Sequence, residues 1–157
     1  MTRTTVRPNP CPSCPYRQGV PSGVWAPAEY QRLRQYDGTI ADQAMAGATA
    51  AFGCHQGDGQ LCAGWVGHRE HPSDLLALRL AAIHGDVDES VWDYRTDVPL
   101  FASGAQAAAH GLAEVDAPGE DAAAAIAKIV RVRRARGEPV QYSDTTTPPH
   151  HRGEQGA

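Results

Sequence analysis

The spacing of the cysteines constrains this chain more than any other feature of the sequence. Cys11 and Cys14 are separated by two residues, Cys54 and Cys62 by seven, and thirty-nine residues lie between the two pairs. A C-x2-C turn lets two sulfurs address one centre, and ligand pairs distant in sequence are usual in metal sites because the fold brings them together. The four cysteines therefore predict one metal centre that staples the N-terminal part of the chain.

The identity of the metal is left open between two alternatives. Four thiolates suit a tetrahedral zinc ion or the corners of an iron–sulfur cluster. Zinc knuckles commonly place glycine after the second cysteine, but here Pro15 follows Cys14 and has no N–H to donate to sulfur. Cysteine followed by proline is familiar from ferredoxin-type clusters. We therefore expect an iron–sulfur cluster of the 4Fe–4S type, with Zn²⁺ as the alternative.

Several residues beside the cysteines are candidates for supporting roles. His55 directly follows Cys54 and is an alternative ligand, as in a zinc site of three cysteines and one histidine, or a hydrogen-bond donor to sulfur. Arg17 is expected to stabilise the negative charge of a thiolate centre. The aromatic residues near the ligands are expected either to shield the centre from water or simply to fill the core; they are Tyr16, Trp25 and Trp65.

Length and charge limit the classes of protein that this chain can represent. Its 157 residues suit one globular domain, and an aromatic content of 6% predicts a small core built from Ala, Leu and Val. A net charge of -4 provides no overall attraction to nucleic acid, so such binding would need a local basic patch. The candidate patch is Arg131, Arg133, Arg134 and Arg136, whose alternative role is to complement the helix dipole.

The sequence shows no segment typical of membrane insertion or secretion. It has no apolar stretch of about 18 residues and no apolar segment at its N-terminus, so we expect no membrane contact and a cytoplasmic location. Thiols stay reduced there, which favours metal binding or redox chemistry over disulfides. No nucleophile elbow, phosphate loop or dinucleotide-binding motif occurs, and catalysis has no positive support.

Hydrophobic periodicity predicts a mainly α fold. Helices are predicted over residues 25–36, 40–51, 74–84, 103–111 and 118–136, with one helical turn at 90–94 and an extended segment at 99–101. Ser73 and Ser103 are the predicted N-caps of the third and fourth helices. Ile83 is predicted on the core side of the third helix, and Gly137 is the predicted end of the last.

These elements predict a small metal-stapled helical domain with irregular N-terminal loops. Residues 1–85 would form the four-cysteine metal-binding domain, and residues 86–137 a helical C-terminal region packed on it. Residues 138–157 have no apolar periodicity and are expected to be a flexible, disordered tail.

Four motifs together resemble an uncharacterised family of small actinobacterial and actinophage proteins. They are Cys-Pro-Ser-Cys-Pro-Tyr-Arg at residues 11–17, Val-Pro-Ser-Gly-Val-Trp at 20–25, Phe-Gly-Cys-His at 52–55 and Cys-Ala-Gly-Trp at 62–65. The resemblance covers residues 8–85. It implies an intact cysteine site and a host range, but it carries no known activity.

A fainter analogy is to WhiB-type iron–sulfur regulators. These also pair four cysteines with a Gly-Val/Ile-Trp turn and a basic C-terminal stretch, which residues 23–25 and 131–136 echo. The order of the parts differs, because those regulators place the C-x2-C in the middle and the turn after all four cysteines.

The sequence thus predicts a small intracellular metal-binding protein that serves as a redox-responsive or accessory module. The first alternative is a zinc-stabilised domain that binds nucleic acid or an unidentified protein partner. The second is a thiol-dependent enzyme, which requires one cysteine with a depressed pKa outside the metal centre.

Overall fold

The computed structural model describes residues 2–56 and 59–138. These residues form six α-helices and three 3₁₀ turns, and their extended segments pair only through isolated bridges, without β-strands. The predicted mainly α fold class is therefore confirmed. The helices are α1 (Pro27–Arg32), α2 (Ile40–Met45), α3 (Ala63–Gly67), α4 (Leu76–Ile83), α5 (Gly104–Leu112) and α6 (Glu120–Ala135), and the 3₁₀ turns are Leu33–Tyr36, Pro72–Asp74 and Glu89–Asp93.

The first two predicted helices are present, but the second is shorter than predicted. α1 and the 3₁₀ turn that continues it occupy the predicted segment, with Pro27 in the first turn. The helix predicted over residues 40–51 ends at Met45, because Gly47 adopts a φ of +72°. A left-handed residue of this kind ends a helix, and only glycine adopts it without strain.

The start of α4 differs from the prediction. Ser73 is not its N-cap, because Pro72–Asp74 forms a 3₁₀ turn before the helix. The backbone N–H of Leu76 instead donates to the side-chain oxygen of Gln43 at 3.0 Å, and the Gln43 amide donates to the carbonyl of Asp74 at 2.7 Å. A fully buried side chain from α2 therefore caps α4, which local sequence signals do not reveal.

The face that α4 buries is narrower than its hydrophobic pattern predicts. Leu75 and Leu78 are fully buried, whereas the Ile83 side chain is 78% exposed. The prediction that Ile83 lies on the core side is wrong, because the helix extends past the core at its C-terminal end.

α5 begins as predicted and is fixed to α1 by a second cap. Ser103 accepts a hydrogen bond from the Gln106 N–H at 3.1 Å. The Asp37 carboxylate, which follows the 3₁₀ turn Leu33–Tyr36, also accepts hydrogen bonds from the backbone N–H groups of Gly104 and Ala105, at 2.6 and 2.8 Å. A side chain on Gly104 would overlap the Leu33 carbonyl, so this glycine permits the close approach of the two elements.

α6 ends near the predicted position. Its last residue is Ala135, and Gly137 follows with a φ of +69°. None of the helices in the described ranges has the length and apolarity to span a membrane.

Most buried core residues are Ala, Leu or Val, as predicted, but aromatic rings supply the largest buried side chains. One cluster of buried residues extends from Cys11 to Ile129 along the chain. An aromatic side chain buries about 150–250 Å², so a few rings can dominate a small core. The five largest fully buried side chains are Trp25, Trp65, Tyr16, Tyr30 and Tyr36.

Two extended segments frame the N-terminal half. The Thr4 N–H donates to the Asp86 carbonyl at 2.8 Å, and the Arg7 N–H donates to the Leu61 carbonyl at 3.1 Å, so the first residues lie between distant parts of the chain. Residues 99–101 are extended as predicted, and the Phe101 N–H donates to the Tyr16 carbonyl at 2.8 Å.

The predicted domain division at residue 85 remains a prediction. The buried cluster contains residues from both sides of it. Apart from Glu138, the predicted tail lies outside the described residues.

Candidate metal centre

The C-x2-C segment forms two successive turns. The Cys14 N–H donates to the Cys11 carbonyl, and the Arg17 N–H donates to the Cys14 carbonyl, each at 3.0 Å. Both cysteine side chains are buried.

The second pair is brought together by an antiparallel turn of the backbone. The Cys54 N–H donates to the Gln60 carbonyl and the Cys62 N–H to the Phe52 carbonyl, each at 2.9 Å. The two ends of the seven-residue gap therefore lie side by side. α3 begins directly after Cys62, whose sulfur accepts the Trp65 N–H at 3.4 Å.

The structure brings thiols from the two distant pairs together. Cys14 Sγ lies 3.7 Å from Cys62 Sγ. The Cys14 and Cys54 thiols are the two largest causes that shift the pKa of Cys11, so Cys11 lies near both of them. All four are free, without a disulfide.

The four thiols are not arranged as a complete set of ligands around one metal position. Within residues 2–56 and 59–138, no group of three or more His, Cys, Asp or Glu side chains is arranged so that it could hold a metal ion. One inter-pair contact is therefore in place, while a full ligand set would require further closure of the thiols.

Mutual contacts and burial raise the pKa values of the Cys11, Cys14 and Cys54 thiols. The Cys14 thiol and burial raise the pKa of Cys11, although the Cys54 thiol acts in the opposite direction. The Cys11 thiol lowers the pKa of Cys14, but the Cys62 thiol and burial hold it well above its usual value. The Cys11 thiol and burial raise the pKa of Cys54. These directions do not provide the depressed pKa that a thiol nucleophile needs.

Gly64 in α3 leaves room for the Cys14 sulfur. A Cβ atom at this position would overlap Cys14 Sγ and would lie 3.0 Å from the Cβ of Tyr16. The glycine of the Cys-Ala-Gly-Trp motif is thus explained by close packing of α3 on the first cysteine pair.

Cys54 is the most accessible of the four cysteines and has a charged neighbour. It is half-buried, whereas the other three are buried. The guanidinium of Arg7 donates to Cys54 Sγ at 3.6 Å. Arg7 therefore takes the electrostatic position that the sequence analysis gave to Arg17, whose guanidinium donates to the Pro10 carbonyl at 3.1 Å.

The aromatic candidates are all buried beside the cysteine segments. The Trp25 indole N–H donates to the Ser13 carbonyl at 2.7 Å, between the first two cysteines. Tyr16 stacks on His68 at 4.3 Å between ring centroids. Among the described residues, the Tyr16 hydroxyl and the Trp65 indole N–H are buried without a hydrogen-bond partner.

His55 points its ring away from the sulfurs. Its Nε2 lies 3.1 Å from a Glu29 carboxylate oxygen, and its ring packs 4.3 Å from that of Trp25. The His55 contact is the main cause that lowers the pKa of Glu29. These contacts give His55 a role in fixing the loop that carries Cys54.

The four arginines of α6 and its C-terminal end divide into two pairs. Arg133 donates to the His55 carbonyl at 3.2 Å, and Arg136 donates to the Gln56 carbonyl at 2.5 Å. Arg131 and Arg134 are exposed. The predicted patch is therefore not one surface, because two of its members bind the cysteine loop.

Sequence reasoning missed Arg7, Gly64 and helix α3. Arg7 lies outside the cysteine motifs, and only the pairing of residues 5–7 with Leu61 brings it to Cys54. The signal for α3 was the Cys-Ala-Gly-Trp motif itself, since a cysteine sulfur can accept the N–H groups at a helix start.

Comparison with known proteins gives one match. The sequence model of a family described as "Family of unknown function (DUF6283)" matches residues 6–134. No curated protein matches the chain. No solved structure matches it.

Proposed function

We propose a function from the residues themselves, because the chain belongs to the DUF6283 family, whose function is unknown. Cys11, Cys14, Cys54 and Cys62 bind one metal ion, and the protein is a small metal-binding module that responds to oxidation of its thiols. The observation that carries this proposal is the distance of 3.7 Å between the sulfurs of Cys14 and Cys62, which are 48 residues apart.

This distance supports zinc over the iron–sulfur cluster expected from the sequence. A zinc–sulfur bond of about 2.3 Å in a tetrahedral site places neighbouring sulfurs about 3.8 Å apart. In a 4Fe–4S cluster each thiolate binds its own iron, so the sulfurs lie further from one another. The contact between Cys14 and Cys62 fits two ligands of a single ion.

The surroundings of the sulfurs fit thiolate ligands. The Trp65 backbone N–H donates to the Cys62 sulfur at 3.4 Å, and the Arg7 guanidinium donates to the Cys54 sulfur at 3.6 Å. Donors of this kind stabilise negative charge on sulfur. Binding requires Cys11 and Cys54 to close toward the other two. Zinc supplies the free energy for such closure, because metal binding and folding are coupled in small sites.

Elemental analysis of anaerobically purified protein tests the proposal. We expect a colourless protein with one zinc per chain. A brown protein with iron and labile sulfide would overturn zinc in favour of the cluster, and protein without metal under these conditions would overturn both.

Two single variants test the ligand set. Cys14→Ser should lose most of the zinc, whereas His55→Gln should retain it, because the His55 ring contacts Glu29 and not a sulfur. Retention of zinc by Cys14→Ser combined with its loss in His55→Gln would contradict the four-cysteine site.

The contact between Cys14 and Cys62 also supports the redox part of the proposal. Two thiolate ligands, one hydrogen peroxide and two protons from solvent give one disulfide and two water molecules, with an S–S bond of about 2.05 Å replacing the contact of 3.7 Å. The reaction removes two ligands and releases the ion. Peroxide titration should release zinc together with a Cys14 to Cys62 disulfide detected by mass spectrometry, and zinc retained at full oxidation would refute it.

A regulatory role is the finer part of the proposal. The analogy to WhiB-type regulators suggests a redox-sensitive module that contacts DNA. Arg131 and Arg134 are its candidate phosphate contacts because both are exposed. Retention on DNA that falls with salt and is lost when both are changed to Ala would support this role, and absence of retention at low salt would remove it.

A further inference from the structure

A cavity lined by basic residues lies beside the cysteine loop. It has a volume of about 140 Å³ and is formed by the N-terminal segment, the residues after Cys54 and one face of α6. Its basic side chains are Arg7, Lys128, Arg133 and Arg136, and Glu138 is the acidic residue that lines it. We call it the cationic cavity.

Among the described residues, the lining of the cationic cavity has more basic than acidic side chains. Glu138 lies 4.0 Å from Arg136 and offsets part of that charge. Lys128 has no ion pair or hydrogen bond within the described part of the chain, Arg7 donates to a sulfur, and Arg133 donates to a backbone carbonyl. The Glu29 carboxylate, which contacts His55, offsets part of the charge of Arg133. Like charges gathered in a concave site attract an anion, because the field is focused there.

Two buried polar atoms of the lining also have no partner among the described residues. They are Arg133 Nε and His55 Nδ1. The His55 side chain is 9% exposed, and its other ring nitrogen is taken by Glu29. Buried polar groups without partners are uncommon, and those in a functional site are often satisfied by a ligand.

We propose that the cationic cavity binds a small phosphate-bearing anion next to Cys54. The volume of about 140 Å³ is far more than one water needs and accommodates a phosphate group. Arginine forks match the oxygens of phosphate, and a lysine adds a point charge. None of the four cysteines lines the cavity, and Arg7 both lines it and contacts Cys54.

The test is a titration of the zinc-loaded or as-purified full chain with inorganic phosphate at constant ionic strength. We expect saturable binding by calorimetry and a shift of the Arg133 side-chain N–H signal in the NMR spectrum. A nucleoside monophosphate forms a second arm, which separates a free phosphate from a phosphate carried by a nucleotide. Absence of saturable binding in both arms would overturn the proposal.

Lys128 is the best position for a variant because no contact to another described residue is lost with it. Lys128→Ala should weaken phosphate binding about tenfold, the usual loss for one charge-assisted contact. Val132→Glu keeps every basic group and adds a negative charge to the lining, so it should weaken binding at least as much. The matched control is Arg34→Ala, an exposed basic residue outside the lining.

Metal content and circular dichroism measured on the same variants separate this proposal from the preceding one. Unchanged metal with lost phosphate binding supports a separate anion site. Equal phosphate affinity in Lys128→Ala and wild type, or equal weakening in Arg34→Ala, would overturn it. Binding only to a DNA duplex, with no affinity for either small phosphate, would overturn it as well.

Discussion

Substitution of Gly64 by alanine tests the packing of α3 on the first cysteine pair. The added methyl group would overlap the Cys14 sulfur, and Cys14 is fully buried, so its sulfur has little freedom to move. Overpacking of a close-packed core costs about 1–3 kcal/mol, and this contact belongs at the upper end. Alanine returns up to about 1 kcal/mol through its helix propensity, so the expected net loss is about 2 kcal/mol.

The loss should appear in both stability and metal content. For a chain of this size, about 2 kcal/mol corresponds to a fall of about 4–8 °C in Tm. Urea unfolding should show a lower midpoint with an unchanged slope, because the exposed area on unfolding does not change. Displacement of the Cys14 sulfur should also weaken zinc binding, which a competition with a chromophoric chelator measures.

Gly19→Ala is the matched control for this experiment. Gly19 is exposed, and a Cβ atom there meets nothing within 4 Å. Its replacement should leave stability within about 0.5 kcal/mol of wild type, as is usual for surface positions. If Gly64→Ala matched Gly19→Ala in both midpoint and zinc affinity, the inferred packing of α3 on Cys14 would be wrong.

Three further outcomes follow from the buried polar groups. Burial lowers the pKa of His68 to about 4. Between about pH 6.5 and 4, His68 is therefore protonated in the unfolded chain but neutral in the folded protein. The free energy of unfolding should fall by up to about 3 kcal/mol as the pH falls through this range. In urea titrations, His68→Phe should flatten that fall relative to wild type, while a change at exposed His84 should not. Asp37→Ala removes the acceptor of two N–H groups of α5 and should cost about 1–2 kcal/mol in thermal unfolding, whereas Asp86→Ala, at an exposed position, should cost little. Gln43→Glu turns a carboxylate toward the carbonyl of Asp74 and should lower the urea midpoint, and an unchanged midpoint would argue against its capping role.

Local sequence signals predicted a helix boundary correctly where one nearby residue determines that boundary. Ser103 caps α5 and Gly137 follows the end of α6, because a side-chain oxygen at a helix start and a left-handed glycine at its end act within one turn. The prediction of Ser73 as the N-cap of α4 was wrong, because the cap comes from Gln43, a residue 33 positions before Leu76. A contact between distant segments leaves no local pattern.

The same distinction applies to the candidate site. The sequence identified the cysteines, and the structure places Cys14 beside Cys62. The sequence alone could not identify Arg7 as part of the site, because its position beside Cys54 depends on backbone pairing with Leu61. Arg133 was a candidate for contacting nucleic acid or for complementing the helix dipole. Its guanidinium lies 5.5 Å from the ring centroid of Trp25 and donates to the His55 carbonyl.

The attachment of α6 to the cysteine loop makes the C-terminal helix a reporter on the ligands. Arg133 and Arg136 hold the carbonyls of His55 and Gln56, the two residues that follow Cys54. If Cys54 leaves the proposed metal centre and its loop moves, both arginine hydrogen bonds are lost together. The final turns of α6 then lose protection from amide hydrogen exchange. Amide hydrogen exchange in that helix would then record the ligation state of a cysteine about eighty residues away, without any label on the sulfur.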